Sequence, residues 1–317
     1  MKIFITGITG LLGSYVAREF ADLGEIHGLK RTSSSTRLLD EEDFPIIWHE
    51  GDLSDQESLE HFIQGMDLVI HAAGLVSFDS RDSDALMEVN VQGTANLVNA
   101  MLNAQVSRLI HVSSVAAIGR SSGISQIDEK FKWVESSLNT DYAISKYGAE
   151  LEAWRGEQEG LNLLVVNPSI LLGKIADERS STTIYDYVLE EHGYYPTGHI
   201  NYLDVRDAAR MIRGLYEKNA WGQRFILNAA SMPYQEFFQK MAEIFSKKAP
   251  SKKASGILLK LAVILAGLGR TLGISKNPLN KKTAMISTQK ISFDNQKATR
   301  LLEYEYRSLE DTFSWAK

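Results

Sequence analysis

Tyr142 and Lys146 stand four residues apart in the run DYAISK, so on a helix they share one face. A free tyrosine titrates near ~10 and exchanges protons poorly at neutral pH. A neighbouring ammonium stabilises the phenolate, which is expected to lower that value and bring Tyr142 into range as a general acid or base. Ser113-Ser114 follows the apolar run Leu109 to Val112. A hydroxyl at the C-terminal end of such a strand can hold a substrate oxygen as charge develops on it. Register against Gly119 favours Ser114 over Ser113. A Tyr-x-x-x-Lys spacing alone is common on exposed helices, so its meaning rests on its setting.

The N-terminus supplies that setting. The loop Thr6-Gly7-Ile8-Thr9-Gly10-Leu11-Leu12-Gly13 follows a short β-type run, Lys2 to Ile5. Gly7 allows a tight turn, Gly10 lets backbone N–H groups approach a pyrophosphate, and Gly13 lets the next helix pack closely. The spacing G-x-x-G-x-x-G is one residue longer in its first gap than the common dinucleotide fingerprint. The loop, with Thr9, Leu11 and Leu12, is therefore expected to cradle a dinucleotide. An acidic residue about 20 positions on would bind the ribose 2′-hydroxyl of NAD. Lys30-Arg31 stands there instead, followed by Thr32 and three serines, with no carboxylate before Asp40. Two cations suit a 2′-phosphate, Arg31 in bidentate fashion, which favours NADP with NAD as the alternative.

These residues need elements to position them. Tyr15 to Leu23 reads as an amphipathic helix ending at Gly24, with strands at Ile26–Leu29 and Pro45–His49. Ser54 is expected to cap a helix running through Gly65, since Asp55, Gln56 and Glu57 suit a first turn. Strand Leu68–Ile70 leads into His71-Ala72-Ala73-Gly74, and a long helix is expected from Ala85 to Ala104. Strand Leu109–Val112, helix Tyr142–Glu159 and strand Leu161–Val166 follow. Strands alternating with helices predict an α/β fold, a doubly wound parallel sheet of the Rossmann type with right-handed crossovers. After Gly173 the rhythm breaks, though a helix at Asp204–Lys218, a strand at Arg224–Asn228 and a helix at Tyr234–Lys247 are readable. The expected division gives residues 1–173 to a dinucleotide-binding domain, with 201–230 returning to it. Residues 174–200 and 231–317 form a smaller C-terminal substrate-binding lobe.

With the glycine loop, Asp52-Leu53, His71-Ala72-Ala73-Gly74, Ser113-Ser114, Tyr142-x-x-x-Lys146 and Asn167-Pro168-Ser169 in order, the chain resembles the extended short-chain dehydrogenase/reductases. That group is often labelled the NAD-dependent epimerase/dehydratase family. The resemblance covers residues 1 to about 230 and is strongest to the dihydroflavonol-reductase and 3β-hydroxysteroid-dehydrogenase branch. It implies that Asp52 and Leu53 meet the adenine, and that Ala72, Ala73 and Gly74 line the cofactor. It implies that Asn90 orders the catalytic network, that Pro168 and Ser169 pack at the nicotinamide, and that Lys146 also bonds the nicotinamide ribose. The chain departs from the family at Lys174, where a proline usually follows Gly173.

Composition bounds the partners. The 317 residues include no cysteine, which excludes disulfides and thiolate chemistry. No metal-ligand spacing is present, and His71 and His111 read as structural strand-end residues rather than ligands. No secretory signal is evident, so the cytoplasm is the expected compartment. Residues 247–282 carry nine Lys/Arg and no Asp/Glu, leaving 25 basic against 40 acidic residues elsewhere. One basic patch argues against a nucleic-acid partner. Within it, the apolar run Gly256–Gly269 is interrupted by Lys260 and too short for a bilayer span, which takes ~20 residues, and its stretch Ile257–Leu268 is apolar almost all round. It reads as a buried helix, with peripheral contact to an anionic membrane as the alternative. The long helices beside the sheet would allow a homodimer. Between Gly173 and Asp204, Lys174 and Arg179 face five carboxylates, with Tyr185, Tyr187, Tyr194 and Tyr195 among them. That balance favours an apolar or aromatic carbonyl or alcohol over a diphosphate-bearing sugar, the substrate of the rival epimerase/dehydratase reading. A non-catalytic NADP-binding redox sensor is the third reading, and it would not need Ser114, Tyr142 and Lys146.

Overall fold

The computed structural model describes residues 1–40, 42–177, 183–254 and 281–317. Its strands are β1 (Lys2–Thr6), β2 (Glu25–Lys30), β3 (Ile46–Glu50), β4 (Leu68–His71), β5 (Arg108–Val112), β6 (Gln126–Ile127) and β7 (Asn162–Pro168). Then come β8 (Ile170–Leu172), β9 (Tyr194–Tyr195), β10 (His199–Asp204), β11 (Gln223–Leu227), β12 (Ala230–Pro233), β13 (Lys252–Lys253) and β14 (Ser292–Phe293). Seven of them form one sheet in the order β11-β7-β5-β4-β1-β2-β3. Every pair in it is parallel. This is the expected doubly wound sheet.

The strands are apolar on both faces because helices cover both. In β1, Ile3 and Ile5 point into one core and Phe4 into the other; in β7, Leu164 and Val166 oppose Leu163 and Val165. That split is the two-residue period of a strand buried on both sides. Helix α1 (Leu11–Phe20) lies on the first face. The second is covered by α2 (Gln56–Ile63), the segment α3 (Ser83–Leu86) to α4 (Gly93–Asn103) and, beyond the short α5 (Val115–Ile118), by α6 (Asp141–Gln158). Each fully buried Leu, Ile or Phe contributes about 1.5–3 kcal/mol.

Three expected boundaries move, each for a local reason. Helix α1 begins at Leu11 rather than Tyr15, with Gly10 as its N-cap, and a 3₁₀ turn, Ala21–Leu23, replaces its last turn. Helix α2 is capped by Asp55 rather than Ser54: the Asp55 carboxylate accepts the Ser58 N–H at 3.1 Å. The Ser54 N–H is already used, donating to Asp52 Oδ1 at 3.0 Å. The expected single helix from Ala85 to Ala104 is interrupted by a π-helical stretch, Met87–Gln92. There the Thr94 hydroxyl bonds the Asn90 carbonyl at 2.6 Å.

Past β7 the chain builds a second core around β8, β10 and β12, which form a three-stranded sheet. Helices α7 (Thr183–Leu189) and α9 (Tyr234–Phe245), and the helix Leu309–Ala316, pack on it through Tyr185, Phe237, Phe238, Phe245 and Phe313. Between them α8 (Val205–Glu217) joins α1 on the main sheet, and β11 adds its last strand. Tyr185 is wholly buried and its hydroxyl donates to the Gly173 carbonyl at 3.1 Å. Tyr187 stacks on Phe238 and donates to the Tyr194 carbonyl at 2.5 Å. These two aromatics therefore build the lobe itself. Glu178 and Arg179, and the apolar stretch Ile257–Leu268, lie outside the described residues. No described helix is long and apolar enough to cross a membrane.

The departure at Lys174 has a structural reason. Its N–H donates to the buried Asp177 carboxylate at 3.0 Å, a bond a proline could not make. Lys174→Pro is therefore expected to lower stability by about 1–3 kcal/mol, leaving a buried carboxylate one donor short. A lower urea midpoint with an unchanged slope is the expected reading, and an unchanged midpoint would contradict it.

Candidate active site

The strand order reverses between β1 and β4, and the chain leaves these two neighbours toward opposite faces of the sheet. In open α/β sheets a ligand crevice opens at that point. The glycine loop leaves β1 there and His71-Ala72-Ala73-Gly74 leaves β4. Gly7 has φ +69°, and a Cβ on it would overlap the Ala72-Ala73 backbone. A Cβ at Gly13 would strike the Gly7 carbonyl. A Cβ at Gly10 would meet only the Gly7 carbonyl, at 3.1 Å, so internal packing does not demand that glycine as it does the other two. Gly10 starts α1 in extended geometry, with no side-chain cap and no acidic residue in the first turn. A helix start left without an internal anion fits a pyrophosphate. Leu11 and Leu12 are buried under the loop, and Leu53 packs beneath α4 beside Gly93, while Asp52 stays exposed.

At the end of β2 the register alters the expected charge balance. Lys30 pairs with Glu50 of β3, and their side chains approach to 3.9 Å. A carboxylate distant in sequence thus meets Lys30. Arg31 is exposed and makes no ion pair among the described residues, and its N–H bonds Ser34 Oγ at 3.2 Å.

The two serines after β5 point different ways. Ser113 is buried and donates to Glu150 Oε2 at 2.7 Å. Ser114 caps α5, accepting the Ala116 N–H at 3.1 Å, and its side chain also hydrogen-bonds Tyr142. Its carbonyl is held by Asn167 Nδ2 at 3.0 Å. Helix α6 starts at a Thr140 cap and carries Tyr142 and Lys146 on one face. Lys146 is 5% exposed and its ammonium donates to the Val112 carbonyl at 3.0 Å. A Cβ on Gly74 would lie 3.7 Å from Lys146 Nζ and 3.3 Å from Asn90 Oδ1, so all three converge on the crevice. Asn90, in the π-helical stretch, bonds the Leu75 N–H and carbonyl and Ser145 Oγ. Pro168 ends β7, and the buried Ser169 hydroxyl has no partner among the described residues.

The electrostatics differ from the simple expectation. Burial pushes the Tyr142 phenol above its ordinary value, opposed by the hydrogen bond from Ser114 and by the Arg120 guanidinium. The cation acting on Tyr142 is Arg120, while Lys146 stays on its carbonyl. Burial pulls Lys146 down to about 8, with the Glu150 carboxylate opposing. Sequence reasoning missed both Arg120 and Glu150. Glu150 was findable as the residue one turn beyond Lys146; Arg120 had no periodic signal. His71 is held neutral, pulled down to about 3 by burial and then by Lys146, and bonds Thr6 at 2.7 Å and Thr94 at 2.9 Å. Among the described residues there is no cluster of three or more metal-ligating side chains.

This fold and crevice define a class. Residues 3–229 match the NAD dependent epimerase/dehydratase family, and the chain belongs to it as an NAD(P)-dependent oxidoreductase. Among curated proteins it is 29% identical to one named "Putative dihydroflavonol 4-reductase" from Synechocystis sp., over 98% of this chain and 92% of that one. The crystal structure of gox2253 is 29% identical with a TM-score of 0.83, covering 99% of this chain and 96% of that one. Yeast methylglyoxal/isovaleraldehyde reductase Gre2, solved with NADPH, shares the fold at 20% identity and a TM-score of 0.77, covering 100% and 97%.

The depressed Lys146 value has a consequence for stability. Below pH 8 the ammonium is charged in both the folded and the unfolded chain, and folding bears its full desolvation cost. Between pH 8 and the unfolded value of 10.5 the unfolded chain binds more protons, so stability rises with pH. The rise is on the order of 3 kcal/mol across the whole window. Urea unfolding of the protein and of Lys146→Met at several pH values isolates this slope. The difference between them should shift toward the unmutated protein as pH rises from 8, and a constant difference would contradict the burial argument.

Proposed function

We propose that the protein reduces the carbonyl of a small, largely apolar substrate, or oxidises the matching secondary alcohol, with Tyr142 as general acid or base. The observation that carries this is the meeting of Ser114, Tyr142 and the buried Lys146 ammonium at the C-terminal end of β5, beside Gly74. A nicotinamide bound along the glycine loop supplies the hydride. Ser114 donates a hydrogen bond to the carbonyl oxygen and holds the charge that develops on it. Tyr142, kept protonated by burial, gives its proton to that oxygen. Lys146, fixed on the Val112 carbonyl, has donors left for the nicotinamide ribose, and Asn90 holds the backbone of Leu75 against α6. Three exposed apolar side chains, Val76, Phe78 and Ile170, leave the C-terminal ends of β4 and β7. Phe78 meets the Tyr142 ring edge-on at 5.7 Å. They support an apolar substrate body.

Tyr142→Phe is expected to remove nearly all turnover of a surrogate ketone while the NADPH dissociation constant changes little. Retention of most of kcat would sink the assignment. The exposed Arg31 supports NADP as the preferred cofactor, because its guanidinium is available to a 2′-phosphate. NADPH should bind at least tenfold more tightly than NADH, since a charge-assisted contact is worth about 1.5–3 kcal/mol. Arg31→Ala should erase most of that difference and Lys30→Ala less, because Glu50 already shares the Lys30 charge. Fluorescence titration decides it, and equal constants in the unmutated protein would contradict the preference.

A further inference from the structure

Arg120 follows α5 directly, behind Gly119, whose φ of +89° turns the chain out of the helix. Its N–H is pinned by Asn139 Oδ1 at 3.0 Å, and its guanidinium lies over the Phe293 ring, 5.7 Å from the centroid. The other half-buried arginines among the described residues all have carboxylates: Arg18 with Glu42, Arg155 with Glu152, Arg206 with Asp204, Arg213 with Asp22, Arg224 with Glu150, and Arg307 with Asp207. Arg120 is half-buried and forms no ion pair among the described residues. The charged or titratable groups that act on it are two phenols, Tyr142 and Tyr234. The Tyr234 hydroxyl likewise makes no hydrogen bond among the described residues. A half-buried cation without a counter-charge bears part of its desolvation cost, and an anion arriving beside it recovers that cost.

We propose that Arg120 is a specificity-determining residue that receives a carboxylate carried by the substrate, close to the carbonyl addressed by Ser114 and Tyr142. The substrate class is then an oxo acid with an apolar body, or the corresponding hydroxy acid in the oxidative direction. This rests on the carbonyl-reduction reading above. The planar guanidinium matches a carboxylate in bidentate fashion, and Tyr234 offers a further donor. One cation balances one carboxylate, whereas a phosphate dianion would call for a second, and the remaining donors of Lys146 are assigned above to the nicotinamide ribose. The carboxylate takes no part in the bond changes. The carbonyl carbon gains the hydride, its oxygen gains the Tyr142 proton, and the nicotinamide is the group oxidised.

The test compares an aryl oxo acid with its methyl ester, using NADPH and the full chain. The readout is the ratio of kcat/KM for acid over ester within one protein, which cancels any general effect on Tyr142. The unmutated protein should favour the acid at least tenfold, and Arg120→Gln should bring the ratio down by tenfold or more, with Arg120→Lys between. Equilibrium binding of the acid and the ester to the NADP-loaded protein is measured in parallel, so a slow surrogate still gives a result. There too the acid should bind tighter, and Arg120→Gln should remove the difference. Equal ratios in Arg120→Gln and the unmutated protein, preference for the ester, or preference for a phosphorylated ketone would overturn the proposal. Failure of the underlying reading is distinct: Tyr142→Phe would then retain turnover of both compounds whatever Arg120→Gln did to the ratio.

Discussion

The Glu150 carboxylate is 2% exposed and takes four donors from four parts of the chain. Ser113 Oγ at the end of β5 and Asn167 Nδ2 in β7 bond Oε2, while Arg224 Nη1 in β11 and Trp154 Nε1 in α6 bond Oε1. A buried charge is tolerated only when so surrounded, and removing any one donor leaves the rest mismatched. The arrangement fixes how far α6 slides along the sheet. Since Lys146 and Tyr142 lie one and two turns before Glu150, their depth at the crevice is set by the same carboxylate. Asn167, held there by one lone pair, spends its other N–H on the Ser114 carbonyl. The positions of Tyr142, Lys146 and Ser114 thus depend on one buried anion.

What was legible in the sequence followed from short-range physics. A glycine loop must sit between a strand and a helix, and two side chains four apart must share a helical face. The parallel sheet followed from the alternation of elements. What stayed hidden was fixed by register and by distant packing. Glu50 stands 20 positions after Lys30 and meets it because β2 and β3 pair in register. Arg120 gains its meaning from Tyr234 and Phe293, more than a hundred residues later. Tyr185 and Tyr187 count toward the aromatic balance of their span yet fill the core of the second lobe, since composition cannot separate an aromatic that lines a cavity from one that fills a core. The π-helical stretch at Asn90, where the Thr94 hydroxyl bonds a backbone carbonyl, leaves no trace in hydrophobic periodicity.

The same physics separates the two halves of the site. Around the glycine loop the backbone does the work: close approaches that a Cβ would forbid, and a helix start left without an internal anion. Around Tyr142 the side chains do it, in a region dry enough to move a tyrosine up and a lysine down at once. Opposite shifts in neighbouring groups follow from one cause, since burial disfavours phenolate and ammonium alike.

Gly173 joins the glycine loop and the second lobe mechanically. A Cβ there would come 2.7 Å from Leu11 Cδ1 in the first turn of α1, and the Gly173 carbonyl holds the hydroxyl of Tyr185 in the aromatic core of the second lobe. The lobe and the glycine loop are therefore not interchangeable parts. Anyone transplanting a foreign lobe onto this sheet inherits that joint, and a chimera with any side chain at that position would have to displace the Leu11 side chain at the start of α1 to close.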